Sequence, residues 1–177
     1  GIGFLYAAKH VPLRPLIYGG LQERKRRAGT ENLIGAYGFY LAAKIAQERR
    51  QVNQEKYTHL KNVFIATLEE EGIEFFINGA KDNALPTIVN ISFPHMKTDT
   101  LLTNLDLAGV AASSGSACTA GTLEPSHVLT AMFGKRSERI HNSIRFSFGS
   151  LNDEENVREA AKRVAKIVKR LASRNDE

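Results

Sequence analysis

The sequence predicts a mixed α/β fold, because short segments with the apolar pattern of strands interleave with segments of helical spacing. The chain has 177 residues, 42% of them hydrophobic and 24% charged, which is an ordinary globular composition. A chain of this length can bury about 70% of the surface that it exposes when unfolded. These figures exclude collagen, a disulfide scaffold and a wholly disordered chain.

The first part of the chain is predicted to hold one strand, one loop and two helices. Residues 2–7 form the apolar run of a short buried strand, and residues 19–32 are a polar, basic loop with glycines. From about Asn32 apolar residues recur at helical spacing, and a second helix follows, with Gly72 placed as its C-terminal cap.

The middle of the chain is predicted to contain short strands, one helix and one loop. Residues 113–122 are small and have no periodicity, which indicates a loop. Apolar runs bounded by turn residues predict the strands, and one longer segment predicts the helix: strands at 74–77, 87–93 and 110–112, and the helix at 98–107.

The C-terminal part is predicted to hold a short helix, a strand and a long amphipathic helix. Pro125 suits the first turn of the short helix, and residues 143–148 alternate as a strand does. Asn152, with Glu155 three residues on, predicts a capping box at the start of the last helix. That helix carries an apolar stripe of Val157, Ala160, Ala161, Val164, Ile167, Val168 and Leu171.

The net charge of +5 is concentrated at the N-terminal end of the chain. Residues 1–30 hold six lysines and arginines against Glu23 alone, whereas the rest of the chain carries 18 basic and 18 acidic residues. So mild an excess is not the loading of a dedicated nucleic-acid binder. The longest strongly apolar stretch has 11 residues, where a membrane span needs about 20.

The chain has one cysteine and five scattered histidines without metal-ligand spacing. A single cysteine cannot form an internal disulfide, which favours a reducing, cytoplasmic compartment, and one cysteine with no histidine pair disfavours zinc. The sequence opens on Gly1 and has no signal-peptide pattern. A start without Met, directly into a strand-like segment, predicts that the chain is part of a longer protein.

Cys118 lies among small residues, with Gly115 and Gly121 three positions away on either side. Such a loop has little packing to hold it, and an exposed, mobile thiolate can reach a target, so a nucleophilic role is one interpretation. The alternative is an inert small residue in a surface loop. The residues by themselves leave both interpretations open.

Four consecutive cations at positions 24–27 precede Thr30 and the predicted helix start. Backbone amides at a helix N-terminus, with a hydroxyl and guanidinium groups, form a candidate anion or phosphate site. The spacing matches neither a Walker loop nor a dinucleotide-binding fingerprint. A solvated basic turn and a contact with an RNA backbone are the alternatives.

Arg145 lies in a predicted strand between Ile144 and Phe146. Its planar guanidinium could bind a carboxylate through two hydrogen bonds, or it could pair with a structural acid. His127 is close in sequence to Cys118, but it is expected on the surface of the short helix.

Four segments together resemble the cysteine desulfurases of the NifS/IscS type, which are pyridoxal-phosphate enzymes of the class V aminotransferase family. The segments are residues 1–6, residues 19–32, the Ser-Ser-Gly-Ser-Ala-Cys stretch at 113–118, and residues 143–149. The resemblance implies fold type I of the pyridoxal-phosphate enzymes. Residues 1–40 would end the large cofactor domain, and residues 41–177 would form the small C-terminal domain, with a mobile cysteine loop at 113–124.

The resemblance also implies a role for each candidate residue. Cys118 would take sulfur from L-cysteine as a persulfide and leave L-alanine, and Arg145 would bind the substrate α-carboxylate. Thr30 would donate to the phosphate of pyridoxal 5'-phosphate across a dimer interface, with Arg27 shaping that loop. The sulfur would pass to an iron–sulfur scaffold or a tRNA 2-thiolase. The resemblance implies a cytoplasmic homodimer with no membrane contact and no direct nucleic-acid contact.

The sequence departs from the family pattern at the cofactor lysine. The Schiff-base lysine of the family lies before the segment that matches Gly1, and the motif around Lys9 does not match. We therefore expect this segment alone neither to hold pyridoxal phosphate covalently nor to turn over. The alternatives are a persulfide carrier that binds a partner without catalysis, a selenocysteine lyase-like relative and, more weakly, an RNA-binding protein.

Overall fold

A computed structural model describes residues 1–80, 82–114 and 126–173. The chain divides into two compact units, Gly1–Gln51 and Val52–Glu177, and each is described by itself. The predicted domain boundary after residue 40 stays a prediction. Among the described residues, no helix is long and apolar enough to cross a membrane.

The first unit consists of an extended segment, a short turn of helix and one long helix. The predicted strand at residues 2–7 is wrong, because this segment has no strand partner and is mostly exposed. An apolar run alone does not make a strand, since its backbone needs a neighbour to complete the ladder of hydrogen bonds. The turn α1 (Gln22–Lys25) is followed by α2 (Leu33–Glu48), whose start confirms the predicted helix.

The second unit contains four helices, a 3-10 turn and three strands within its described residues. In chain order they are α3 (Arg50–Glu70), β1 (Phe76–Asn78), β2 (Ile88–Ser92), α4 (Thr98–Leu107), α5 (His127–Phe133), the 3-10 turn (Glu138–Ile140), β3 (Ser143–Ser147) and α6 (Glu154–Ala172). α3 starts at the end of the first unit. Gly72, with a φ of +66°, ends α3 as predicted, because glycine adopts the left-handed conformation without steric cost.

The three strands form an antiparallel sheet in the order β1-β2-β3. Ile91 lies opposite Ile144 and both are fully buried, so this face of the sheet belongs to the core. Side chains alternate between the faces of a sheet, so Asn78, Asn90 and Arg145, which pair in register, share the opposite face. The sheet is therefore apolar on one face and polar on the other.

The core lies between the apolar face of the sheet and the helices α3, α4 and α6. Phe64 of α3 packs its ring 4.7 Å from that of Phe146 and 5.8 Å from that of Phe148. Phe64 is 2% exposed, and truncating a buried phenylalanine to alanine costs about 3–5 kcal/mol. The predicted stripe of α6 is confirmed, with Val157, Ala161, Val164, Ile167 and Val168 buried and Ala160 and Leu171 packed partly against the core.

The predicted capping box of the last helix is wrong by one residue. Asp153 is the N-cap of α6, and its Oδ1 accepts from Asn156 N at 2.8 Å. Asn152 instead accepts a hydrogen bond from Gly149 N at 2.7 Å through Oδ1. Asp and Asn cap equally well, so the preceding turn, which engages Asn152, decides between two adjacent candidates.

Two further boundaries differ from the sequence prediction. Residues 110–112 do not form a strand, and the pairing is a single bridge between Ser113 and Arg145. The short helix α5 is capped by Ser126, whose Oγ accepts from Leu129 N at 3.3 Å. Pro125 and most of the predicted loop at 113–122 lie outside the described residues. The predicted helix at 98–107 is confirmed as α4.

Candidate functional site

Arg145 is the centre of the candidate site in the second unit. It lies in the middle of β3, where the neighbouring side chains of Ile144 and Phe146 are buried in the core. The alternation therefore directs Arg145 to the polar face of the sheet, as the sequence predicted. Arg145 Nη2 donates to Ser113 Oγ at 2.9 Å, so one end of the guanidinium is already held.

The Nε–H group of Arg145 is buried and has no hydrogen-bond partner among the residues that the structure describes. A buried donor without an acceptor costs about 1–3 kcal/mol, so such a group indicates a ligand that completes it. The described residues also place no acidic group in an ion pair with Arg145. The Nε edge of a guanidinium can bind a carboxylate through two parallel hydrogen bonds. The unsatisfied donor therefore fits a carboxylate ligand.

Ser113 connects Arg145 to the segment that carries Cys118. Its backbone N donates to Arg145 O at 3.1 Å, and its O accepts from Arg145 N at 2.7 Å. Cys118 itself, and the predicted cysteine loop from residue 115 onwards, lie outside the described residues. The segment resumes at Ser126, which is 8% exposed. The structure therefore shows the two attachment points of the segment but not the position of the thiol.

Thr30 and Arg27 belong to the first unit, whereas Arg145 belongs to the second. The side chains of Thr30 and Arg27 are exposed, and Arg27 Nε donates to Ala28 O at 3.3 Å. Thr30 stands two residues before Asn32, whose side chain caps α2 by accepting from Gly35 N at 2.9 Å. An exposed hydroxyl and guanidinium next to a helix N-terminus are donors of the kind that hold phosphate.

These donors fit the phosphate group of pyridoxal 5'-phosphate, and the unsatisfied Arg145 edge fits the carboxylate of an amino acid. His127 lies on the exposed side of α5, which confirms its predicted place on the helix surface. Among the described residues, no three histidine, aspartate or glutamate side chains come together as a metal site.

Sequence reasoning missed a group of polar residues beside Arg145. Asn78 Nδ2 donates to Asn90 Oδ1 at 2.7 Å, and Arg139 Nη1 donates to Asn78 Oδ1 at 3.3 Å. Ser92 and Asn142 form a further hydrogen bond below them. The sequence carries a signal, because Asn90 interrupts the apolar run of β2 and Asn78 ends β1. Only the strand register shows that the two asparagines form one row.

Comparison with known families places this architecture among characterised proteins. Residues 1–159 match the family described as aminotransferase class-V. A Bacillus subtilis (strain 168) protein, whose name describes it provisionally as cysteine desulfurase IscS 1, is 56% identical over 171 residues. A protein named cysteine desulfurase IscS from Dictyoglomus turgidum is 38% identical over the same length. The chain spans less than half of these relatives, 45% and 43% of their lengths.

Solved structures share the fold. The structure of a NifS-like protein is similar to this chain with a TM-score of 0.77 and 32% sequence identity. The match covers 93% of this chain and 41% of the NifS-like chain. A NifS-like protein from Rickettsia africae has a TM-score of 0.73 at 28% sequence identity, and the match covers 89% of this chain and 40% of the Rickettsia chain. These similarities confirm the predicted fold type and the predicted family resemblance.

Proposed function

The chain belongs to the aminotransferase class-V family, and we propose that it is the C-terminal portion of a pyridoxal-phosphate-dependent cysteine desulfurase. The whole enzyme would act on L-cysteine, releasing L-alanine and retaining the sulfur as a persulfide on Cys118. The observation that carries the proposal is the buried Nε of Arg145, which has no partner within the described part of the chain. The same guanidinium donates through Nη2 to Ser113, the first residue of the cysteine stretch.

Arg145 is proposed to hold the α-carboxylate of the substrate. Its guanidinium is permanently charged, and the Nε edge is buried, so a carboxylate there forms charge-assisted hydrogen bonds with little competition from water. Ser113 accepts a hydrogen bond from Nη2, which neighbours Nε, and so limits the rotation of the guanidinium. The bound amino acid would therefore have a defined orientation, with its side chain directed by the held carboxylate.

Cys118 is proposed to be the sulfur acceptor. Its thiolate would attack the substrate sulfur, forming an S–S bond while the carbon–sulfur bond of L-cysteine breaks. The electron pair of the broken bond stays with the substrate carbon, which takes up a proton and becomes the methyl group of L-alanine. The persulfide sulfur would then pass to an acceptor protein, such as an iron–sulfur scaffold or a tRNA 2-thiolase.

Thr30 and Arg27 are proposed to hold the phosphate of the cofactor. Their exposed donors, next to the start of α2, suit a phosphate that approaches from another part of the enzyme. Pyridoxal phosphate, when bound, supplies an electron sink for the bonds at the substrate α-carbon. We further propose a cytoplasmic homodimer in which Thr30 serves the phosphate across the subunit interface. The absence of a matching motif at Lys9 supports the expectation that this segment alone is inactive.

A chimeric enzyme tests the proposal. The N-terminal part of the Bacillus subtilis relative, up to the point that matches Gly1, is fused to residues 1–177 of this chain. The chimera should bind pyridoxal phosphate and release L-alanine and sulfide from L-cysteine, whereas the 177-residue chain should do neither. Thiol-trapping mass spectrometry should find an additional sulfur on Cys118 during turnover.

Two substitutions in the chimera separate the proposed roles. Cys118→Ser should abolish sulfide release while leaving cofactor binding intact. Arg145→Lys keeps the charge but removes the planar two-donor edge, so it should raise KM about tenfold or more. A chimera that binds the cofactor but stays inactive would contradict the proposal. Persulfide on Cys118 of the isolated chain, without alanine release by the chimera, would favour a sulfur carrier instead.

A further inference from the structure

We propose that Asn90 is a second carboxylate-binding residue, whose side-chain amide donates to the same carboxylate as Arg145. The inference rests on the proposed function. Asn90 lies directly opposite Arg145 in the antiparallel register of β2 and β3, so both side chains project from the polar face of the sheet. Directly opposed residues have Cβ atoms about 4.5–5.5 Å apart, which allows two side chains to reach one carboxylate.

A chain of hydrogen bonds determines which end of the Asn90 amide can donate. Arg139 Nη1 donates to Asn78 at 3.3 Å, and a guanidinium has no acceptor, so this contact identifies the oxygen of the Asn78 amide. Asn78 Nδ2 consequently points the other way and donates to Asn90 Oδ1 at 2.7 Å and to Ser143 Oγ at 2.9 Å. With its oxygen occupied, Asn90 presents its Nδ2 group, and no described residue accepts from it.

Several contacts hold Arg139 in place, so that it can orient the hydrogen bonds that run through Asn78 to Asn90. Its guanidinium lies over two aromatic rings, 4.9 Å from the centroid of Phe76 and 4.8 Å from that of Phe133. Phe76 belongs to β1 and Phe133 ends α5, so the stack joins two elements. The backbone O of Arg139 also accepts a hydrogen bond from Ser143 at the start of β3. Arg139 and Asn78 are therefore positioning residues for the amide of Asn90.

The charge of this face selects an anion. None of the strand positions on the polar face is acidic, and Arg145 forms no ion pair with a described residue. The face thus offers a permanent positive charge, the buried Nε donor and, in the next strand, an amide donor whose orientation is fixed. A carboxylate has two oxygens with several lone pairs, and it can accept from both residues at once.

Nuclear magnetic resonance of the ¹⁵N-labelled 177-residue chain tests this inference without turnover. The probes are L-alanine, which is the proposed product, and ethylamine, which is the same molecule without the carboxylate. The side-chain resonances of Asn90 Nδ2 and Arg145 Nε should both shift with L-alanine along one binding curve, and neither should shift with ethylamine. Asn90→Asp should raise the Kd for L-alanine about tenfold or more, because it removes a donor and adds a negative charge.

The matched control is Asn62→Asp, which introduces the same charge at an exposed position of α3 and should leave the Kd unchanged. Asn78→Asp should also weaken binding, since it removes the donor that orients Asn90. If the spectrum of Asn90→Asp loses the signal dispersion of a folded protein, Asn90→Ser provides the same test, because the serine side chain is too short to reach the carboxylate.

The outcomes separate this inference from the proposed function. A shift at Arg145 Nε without one at Asn90 Nδ2, or an unchanged Kd in the folded Asn90 variants, would show that Asn90 is not a ligand while the carboxylate site of Arg145 stands. A response at neither residue would remove the carboxylate site itself, and the inference with it.

Discussion

Arg139 is a half-buried cation whose side chain packs against two aromatic rings. Its guanidinium lies over the rings of Phe76 and Phe133 and donates to Asn78 Oδ1. Each cation–π contact at a partly exposed site contributes about 0.5–1 kcal/mol, and the hydrogen bond adds a similar amount. This one side chain therefore links β1 and α5.

Arg139→Leu should lower the free energy of unfolding by about 1.5–3 kcal/mol, because both ring contacts and the hydrogen bond to Asn78 are lost. Urea denaturation followed by circular dichroism measures the change. Arg136→Leu makes the same substitution at an exposed position three residues earlier, and it should have almost no effect. Equal losses in the two variants would show that the stack of Arg139 contributes nothing of its own.

At the scale of an element, α4 separates sharply into a buried and an exposed face. Leu101 is fully buried, whereas Leu107 at the end of the same helix is 81% exposed. Leu101→Ala should cost about 2–5 kcal/mol, since it leaves a cavity in the core, and Leu107→Ala should cost almost nothing. Chemical denaturation of both variants measures the difference. Similar costs for the two would mean that α4 does not pack as described.

The junction of α3 and α6 carries an ion-pair group that should depend on pH. His59 Nε2 lies 2.7 Å from Glu154 Oε2, and Arg158 Nη2 donates to Glu154 Oε1 at 2.9 Å. These hydrogen bonds, first that of His59 and then that of Arg158, lower the pKa of Glu154 below its ordinary value of 4.5. A carboxylate whose pKa is lowered by folding stabilises the folded state above its unfolded pKa, and the contribution is lost as pH falls through the folded value.

Glu154→Gln should therefore lower the Tm relative to the wild-type chain at pH 6, and the two Tm values should converge as the pH falls below the pKa of Glu154. Thermal denaturation across this range measures the difference. Glu155→Gln removes a neighbouring carboxylate from the same first turn of α6 and serves as the control. A Tm difference for Glu154→Gln that persists unchanged in acid would exclude the ionic contribution of Glu154.

At the scale of the whole molecule, the two units differ in how much apolar surface they bury. Within residues 1–51 only Ala28 among the hydrophobic residues is buried, and Leu16 and Ile34 are 97% and 88% exposed. All members of the hydrophobic core lie in the second unit, between Leu60 and Val168. Exposed apolar surface on this scale is unusual for a protein that stands alone.

The 177-residue chain should bind the dye ANS strongly, and residues 52–177 alone should bind it more weakly, because most of the exposed large apolar side chains belong to the first unit. ANS fluorescence at equal molar concentration measures the difference. Residues 52–177 should also keep cooperative urea unfolding, since they contain the whole core. Equal fluorescence from the two chains would show that the apolar surface of the first unit is not accessible.

The sequence predicted best where one pattern has one physical cause. The stripe of α6, the span of α4 and the end of α3 at Gly72 were all predicted, because helical spacing and left-handed glycine are local properties. Predictions that needed a partner were less successful. Residues 2–7 and 110–112 look like strands, yet a strand exists only where a neighbour supplies hydrogen bonds. The choice of Asp153 over Asn152 as the cap likewise depended on the preceding turn.

The amino-acid sequence was sufficient to predict the family, the α/β class and the strand in which Arg145 alternates with Ile144 and Phe146. These properties depend on local motifs and on the alternation of side chains along one segment. The three-dimensional structure was needed to show that the buried Nε of Arg145 has no partner among the described residues, and that Asn78 and Asn90 lie beside Arg145 in one row. Strand register joins residues that are far apart in sequence, and whether a donor is satisfied depends on every group that surrounds it.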